Sequence, residues 1–423
     1  MKKYSAWKLL VGVLAIAAIL CACQSTQNNT SSTQETTNNA AASDAALTLC
    51  QSYDENGCYL ADAFYTDSTN ANLTYFDFAS KKQIFLCEQP GCTHDTESCR
   101  SYTMGIPQIY VINDALVLFE MASDETKPAN IQLADKDGSN RRLLMEFPAD
   151  CLVLDPVYHD GQNLYMMTQQ TSKDTGDIMK KIIKVSLQNG EQTEIYTFAK
   201  EDYAASLEGA WGRNFIISHY RMDEQHNVYS DECLLNLDTG KMDEQALAVL
   251  DAGNEGAVVG DGVLYRVKYA DQKIEIFDFE TKETQTVDYA PIAASIEGTI
   301  EPNVGVSVME PGLLLLEFMD FSGEETKFHY VVFNIENGEY HPFTLLKTYN
   351  KDVISRLAET EDSFLVLTDW ISSVVDVDEL GVETRQYEAR YAMISKSDYE
   401  NSIPNYIPIA SDIYPDAWNK STE

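Results

Sequence analysis

From residue 47 onward the chain repeats itself about every 50 residues, and a period of that length admits few folds. Seven short apolar segments recur, among them Gly161-Gln162-Asn163-Leu164-Tyr165, Gly262-Val263-Leu264-Tyr265 and Gly312-Leu313-Leu314-Leu315. Their entry residues Gly57, Asp114, Gly161, Gly212, Gly262, Gly312 and Ser363 are spaced 57, 47, 51, 50, 50 and 51 apart. Each unit runs on through period-2 strands, such as Ile274 to Phe279 and Tyr330 to Ile335, to a second tight polar turn. Examples are Asp137-Gly138-Ser139, Gln188-Asn189-Gly190 and Glu336-Asn337-Gly338, and the same reading puts the last at Ser395-Lys396-Ser397. Four strands in about 50 residues is one propeller blade. The expected fold is all-β, a seven-bladed β-propeller, with six or eight blades if a terminal unit is counted differently. No stretch after residue 47 sustains a long helical period. Either Leu47 to Tyr53 or Tyr399 to Pro408 is expected to complete a shared blade and so cover a sheet edge.

The N-terminus reads differently. Lys2, Lys3 and Lys8 flank an uncharged apolar run from Leu9 to Leu20, closed by Leu20-Cys21-Ala22-Cys23. Leu9 to Ala22 is shorter than the ~20 residues a membrane-spanning helix needs, so residues 1–22 read as a lipoprotein signal peptide. Ala22 supplies the small residue before the modified position, which makes Cys23 the expected lipidated N-terminus. Gln24 to Ala46 contains only Glu35 and Asp44 as charges and no large apolar residue, so residues 23–46 read as a lipidated cysteine followed by a disordered tether. As a flexible coil the tether would reach about 25 Å. The propeller domain is placed at 47–423, and the protein at the extracytoplasmic side of a cell membrane, held by lipid.

Charge narrows the partners. The formal net charge is −37, and loss of the three signal lysines takes it to −40. Nucleic acid is excluded as a partner on that ground. Anionic lipid would repel the surface too, which leaves the lipid on Cys23 as the membrane contact.

The hairpin Ile131 to Asn140, with Arg141-Arg142-Leu143-Leu144 after it, resembles the blade turn of TolB-like propellers. The stretch Leu86-Cys87-Glu88-Gln89-Pro90-Gly91-Cys92-Thr93-His94, continuing to Cys99 and Tyr102, resembles a segment of uncharacterised β-propeller lipoproteins of Gram-positive anaerobes. The resemblance implies a surface propeller and brings no activity with it. Seven units depart from the six blades of TolB itself, so a TolB-type partner role does not carry over.

Discrete chemistry concentrates in that second stretch. Cys87, Cys92, His94 and Cys99 follow C-x4-C-x-H-x4-C, where the first repeat interval exceeds the others by about seven residues, and so read as an insertion between blades. Three thiolates and an imidazole match a closed structural zinc site. The competing reading is disulfide formation, which an exported protein permits. The seven cysteines beyond Cys23, namely Cys50, Cys58, Cys87, Cys92, Cys99, Cys151 and Cys233, cannot all pair within one chain. Cys151 and Cys233 read as buried fillers.

No G-x-S-x-G, H-E-x-x-H, P-loop or G-x-G-x-x-G occurs, so no catalytic residue is assigned. His159, His219, His226, His329 and His341 read as strand or turn residues. Asp135 to Asn140 fits a blade turn better than a calcium loop, and Asp376-Val377-Asp378 with Glu379 and Gly381 is equally weak as one. Trp211, just before an entry glycine, is a candidate for stacking on a ligand. The sequence therefore points to a binding or interaction scaffold for a protein or glycan, and away from an enzyme. The alternative is a hydrolase or lyase of polysaccharide using carboxylates at the channel mouth.

Overall fold

A computed structural model describes residues 45–420 except 64–69, 121–127, 149, 203, 224, 244–246, 252–254, 261, 299, 324 and 378–382. The signal segment, Cys23, nearly all of the tether and most of the second calcium-like string lie outside the described residues. Seven sheets follow one another along the chain, each pairing its strands in order. Blade 1 holds Gly57–Asp62, Asn70–Asp77, and Lys82–Phe85 with Tyr102–Met104. Blade 2 holds Gln108–Ile112, Ala115–Glu120, Asn130–Asp135 and Arg142–Glu146. Blade 3 holds Cys151–His159, Asn163–Thr171, Ile178–Ser186 and Gln192–Thr197. Blade 4 holds Ser206–Trp211, Asn214–Met222, Val228–Asn236 and an outer strand in two pieces, Lys241–Met242 and Ala248–Asp251. Blade 5 holds Glu255–Gly260, Val263–Lys268, Lys273–Asp278 and Thr284–Asp288. Blade 6 holds Ile300–Glu310, Leu313–Asp320, Lys327–Asn334 and Tyr340–Pro342. Blade 7 holds Ser355–Glu359, Ser363–Val377, Glu383–Ser395 and Ile407–Pro408.

The recurring apolar segments are the second strands. Each is sandwiched between two neighbouring blades, so both its faces are buried and its sequence is continuously apolar rather than alternating. Leu116, Val117, Leu118 and Phe119 are all buried for this reason. The entry glycines sit in the turn from first to second strand. Gly161 and Gly312 have φ of 84° and 78° there, and in blade 2 Asn113 takes the left-handed position at φ 55°. Among the described residues seven clusters of buried apolar side chains occur, one at each junction between consecutive blades.

Closure uses both ends of the chain. Tyr53 bridges Cys58, so the N-terminal segment supplies the short inner strand of blade 1. Ala410–Ser411, just beyond the expected 399–408, adds to the outer edge of the same blade in parallel with Lys82–Phe85. Between them, Phe76 of blade 1 meets Tyr391 of blade 7 edge-on at 4.8 Å. Asp62, 5% exposed, accepts from Tyr391 Oη (3.0 Å), Thr74 Oγ1 (3.0 Å) and Gln83 Nε2 across this seam. The expected turn at Ser395 to Ser397 is instead a helix start: Ser395 caps Lys396–Glu400 by accepting from Asp398 N at 3.0 Å.

Before blade 1 the chain runs past the first strands of blades 4, 3 and 2. Leu47 N donates to Gly212 O, Thr48 and Leu49 pair with His159 and Tyr158, Cys50 N donates to Val157 O, and Gln51 O accepts from Val111 N. Residues 47–53 thus tie together the first-strand ends of blades 4, 3, 2 and 1. Asp54 turns the chain by accepting from Asn56 N and Gly57 N, and Lys136 of blade 2 pairs with it at 2.8 Å.

Candidate metal centre

The Cys/His stretch does not lie between blades, as its spacing suggested; it interrupts the outer strand of blade 1. Lys82–Phe85 pairs with the Thr74 end of the neighbouring strand and Tyr102–Met104 with the Asn70 end. At the break, Leu73 O accepts from Leu86 N (3.0 Å) while Leu73 N donates to Ser101 O (2.6 Å). Both ends of the insertion are therefore pinned to one buried residue. Ala410–Ser411 covers the outer edge only at Lys82 and Gln83, so beyond them the strand can bulge outward.

Within the loop the chain folds tightly on itself. Cys92 N donates to Gln89 O and Cys99 N to Thr96 O, and Gly91 and His94 take φ of 75° and 58°. The result brings the Sγ atoms of Cys87, Cys92 and Cys99 and a ring nitrogen of His94 all within 4.8 Å of one another. A tetrahedron around zinc with Zn–S bonds of about 2.3 Å has edges of roughly 3.8 Å, so the four donors stand close to where a tetrahedral ion needs them. His94 Nδ1 lies 3.2 Å from Cys99 Sγ, and its ring is stacked on Phe85 at 4.1 Å.

Charge is prepared for at the same place. Burial works against a Cys87 thiolate, yet the N–H groups of Gln89 and Arg100 and the thiols of Cys99 and Cys92 outweigh it and hold Cys87 below the ordinary thiol range. Burial, with the thiols of Cys87 and Cys92 beside it, pushes Cys99 up to about 11. Three crowded sulfurs cannot all ionise on their own, and a dication is the species that lets them. Cys87 and Cys99 are buried, while Cys92 and His94 are half-exposed, which leaves a route for an ion.

Blade 2 carries the loop. Arg141 donates to Arg100 O (2.7 Å) and Tyr102 O (3.1 Å), and Arg100 pairs with Asp137 at 2.6 Å. Phe85 beneath His94 and Arg141 behind the loop were not singled out from sequence. Arg141 lies in the next blade, and no local pattern announces a contact made through folding.

No cysteine is bonded to another among the described residues. Cys50 and Cys151 are buried in the junction of blades 2 and 3, Cys58 in that of blades 7 and 1, and Cys233 is buried as well. Trp211 is packing: it stacks on Phe279 at 5.8 Å with the Lys282 ammonium 4.4 Å from its ring. His341 holds Glu400 O at 2.7 Å, and His159 accepts from Gly161 N at 3.1 Å with its pKa lowered by burial. Carboxyls raised chiefly by burial are Asp62, Glu232, Glu310, Glu317 and Glu400. Asp62 and Glu232 stand apart in blades 1 and 4, whereas Glu310 of blade 6 and Glu400 of the helix beside blade 7 lie near each other, with Glu359, Lys396 and Arg356 beside them. Asp135 accepts from Ser139 and Asn140 inside its blade turn.

No protein family and no curated protein matches this chain. Solved structures of propeller type are similar to it. The β-propeller domain of the Trilobed protease from Pyrococcus furiosus is 13% identical, with a TM-score of 0.45 over 86% of this chain and 98% of that one. An oligogalacturonate lyase in complex with manganese is 16% identical, with a TM-score of 0.39 over 81% and 90%. The acylaminoacyl peptidase of Pyrococcus horikoshii is 12% identical, with a TM-score of 0.46 over 85% of this chain and 53% of that one.

Proposed function

We propose that this chain is a lipoprotein held by Cys23 at the outer side of a cell membrane, that its propeller is a scaffold for a protein or glycan ligand, and that a structural zinc ion staples the loop of blade 1. The observation that carries the metal is the convergence of Cys87, Cys92, His94 and Cys99 within 4.8 Å, with Phe85 and two buried sulfurs around them. Four protein donors fill a tetrahedral shell, so the ion has no open position for chemistry and its work is to order a loop that buries little of its own. Membrane attachment rests on the signal-like residues 1–22 and on Ala22 before Cys23, and the resemblance to propeller lipoproteins agrees with it. Of the raised carboxyls, Glu310 and Glu400 meet, but with the cations Lys396 and Arg356 among them, and Asp62 and Glu232 stand apart in other blades. This weighs toward a binding scaffold and against a carboxylate-dependent hydrolase or lyase, whose acids must meet at one mouth free of such pairing.

Metal content and free thiols, measured on chain purified anaerobically without chelator, test the metal. The expected result is near-stoichiometric zinc, lost in His94→Ala together with protection of residues 87–99 from protease. No zinc together with fewer free thiols than cysteines would make the loop a disulfide staple instead.

A further inference from the structure

The strands give the propeller two unlike faces. Arg213 Nη1 donates to Ala45 O (3.3 Å), so the N-terminal segment leaves beside the turn from first to second strand of blade 4. In an antiparallel four-stranded blade those turns and the third-to-fourth turns share one face, here the tether face. Second-to-third loops and blade-to-blade loops share the other, the far face.

Exposed large apolar side chains are divided unequally between them. Among the described residues there are seventeen, and only Leu143, Tyr340, Ile403 and Ile407 lie on the tether side or its rim. The other thirteen sit at far-face strand ends and loops, including Met179, Met222 (62% exposed), Phe328, Tyr349 (53%) and Val374. Blade 7 adds to this face. Its second and third strands are 15 and 13 residues long, against six to nine for the same strands elsewhere, and rise about 20 Å farther at ~3.3 Å per residue. Apolar groups concentrated on one face of a soluble domain mark an interaction surface.

The chemistry of the face selects its occupant. Met, Val, Ile, Leu and Phe outnumber Tyr there, which suits a polypeptide surface; a sugar would call for aromatic platforms flanked by hydrogen-bonding groups. Asp174, Asp202, Asp223 and Asp352 stand in its loops, where Asp150 and Asp177 are paired with Lys173 and Lys200, and the chain as a whole has a net charge of −37. Another copy would be repelled, and so would anionic lipid. We infer that the far face docks a basic protein, one that sets Lys and Arg around an apolar centre. This inference rests on the scaffold reading.

The test uses the full lipidated chain in its own cells, with a photoreactive aromatic residue at Met222, Phe328 or Val374 on the far face and at Leu143 or Tyr340 on the tether face. Far-face positions are expected to give one discrete adduct to a protein rich in Lys and Arg, and tether-face positions none. Purified, that protein should bind the chain with an affinity that falls with added salt. It should bind a Met222→Ser, Phe328→Ser variant about tenfold more weakly. Adducts to a second copy, to saccharide or to an acidic protein overturn the occupant, and adducts only from the tether face overturn the surface. No adduct from any position takes the scaffold reading down as well.

Discussion

Removing one hydroxyl, in Tyr391→Phe, tests how the ring is closed. Tyr391 Oη donates to Asp62 Oδ1 at 3.0 Å across the seam between blades 7 and 1, and its ring packs edge-on against Phe76 at 4.8 Å. The variant keeps the ring and its packing, so the loss isolates one hydrogen bond to a carboxylate that is 5% exposed. A bond of that kind contributes about 1.5–3 kcal/mol, which in a domain of this size corresponds to a fall of roughly 2–4 °C in Tm. The pH dependence carries a sign. Burial, the leading cause, raises the Asp62 pKa in the folded chain despite the donors from Thr74, Tyr391 and Gln83. The folded state therefore holds this proton more tightly than the unfolded state, and the Asp62 contribution to stability rises as pH falls through the window between the ordinary and the raised value. A protonated carboxyl depends less on the Tyr391 donor, so the penalty of Tyr391→Phe shrinks as pH falls through that window. Urea melts of both proteins across the pH range measure it. A destabilisation below about 0.5 kcal/mol at the alkaline end, or one that does not change with pH, would refute the account of Asp62 as a group held by donors across the seam.

Leu73→Ala, which empties a fully buried position at the junction of blades 1 and 2 and beneath the loop insertion, should cost about 2–5 kcal/mol by urea denaturation; a smaller loss would mean the junction can collapse around it. Gly240→Ala forces a side chain onto a backbone at φ 63° and brings Cβ to 2.7 Å from Ile195 O of blade 3, so a loss of about 1–3 kcal/mol is expected, and a neutral variant would contradict the tight apposition of those blades. Lys136→Met removes the partner of Asp54, whose pKa is lowered by the Lys136 contact and the N–H groups of Asn56 and Gly57 against the opposing effect of burial. The pair stabilises above the ordinary Asp range and loses that contribution as pH falls through the lowered value. The variant should thus be less stable at pH 7 by less than about 1 kcal/mol and converge on the parent as acid protonates Asp54, and a difference that does not shrink in acid would rule the pairing out. Arg141→Met should speed exchange of the amides of Arg100 to Met104 while leaving the blade 2 amides protected; uniform exchange would deny it a role in seating the loop.

Much of this fold was legible because a blade is a local object. Its four strands are consecutive, its turns demand Gly, Asn or Asp at fixed places, and its second strand must be apolar on both faces. Those requirements repeat every 50 residues or so whatever the rest of the chain does. The four candidate ligands were legible for a similar reason, since they lie within thirteen residues and their types alone restrict the ion. Where the loop sits was not legible: a longer repeat interval reads the same whether the extra residues fall between blades or inside an outer strand, and only the pairing of Leu73 with both Leu86 and Ser101 decides. Ser395 looked like a turn and proved to be a helix cap, because Ser suits both and the neighbouring packing of Tyr399 selects the helix. Ring closure also belongs to the tertiary structure. Asp62 and Tyr391 are 329 positions apart, and nothing in either neighbourhood marks them as partners. Sequence by itself supplied the unit, a count of seven with six or eight still open, and the donors in one loop, all matters of short range. The seam, the seat of the loop on blade 2 and the unlike faces depend on which residues meet when the seventh unit returns to the first, and that is a property of the closed ring alone.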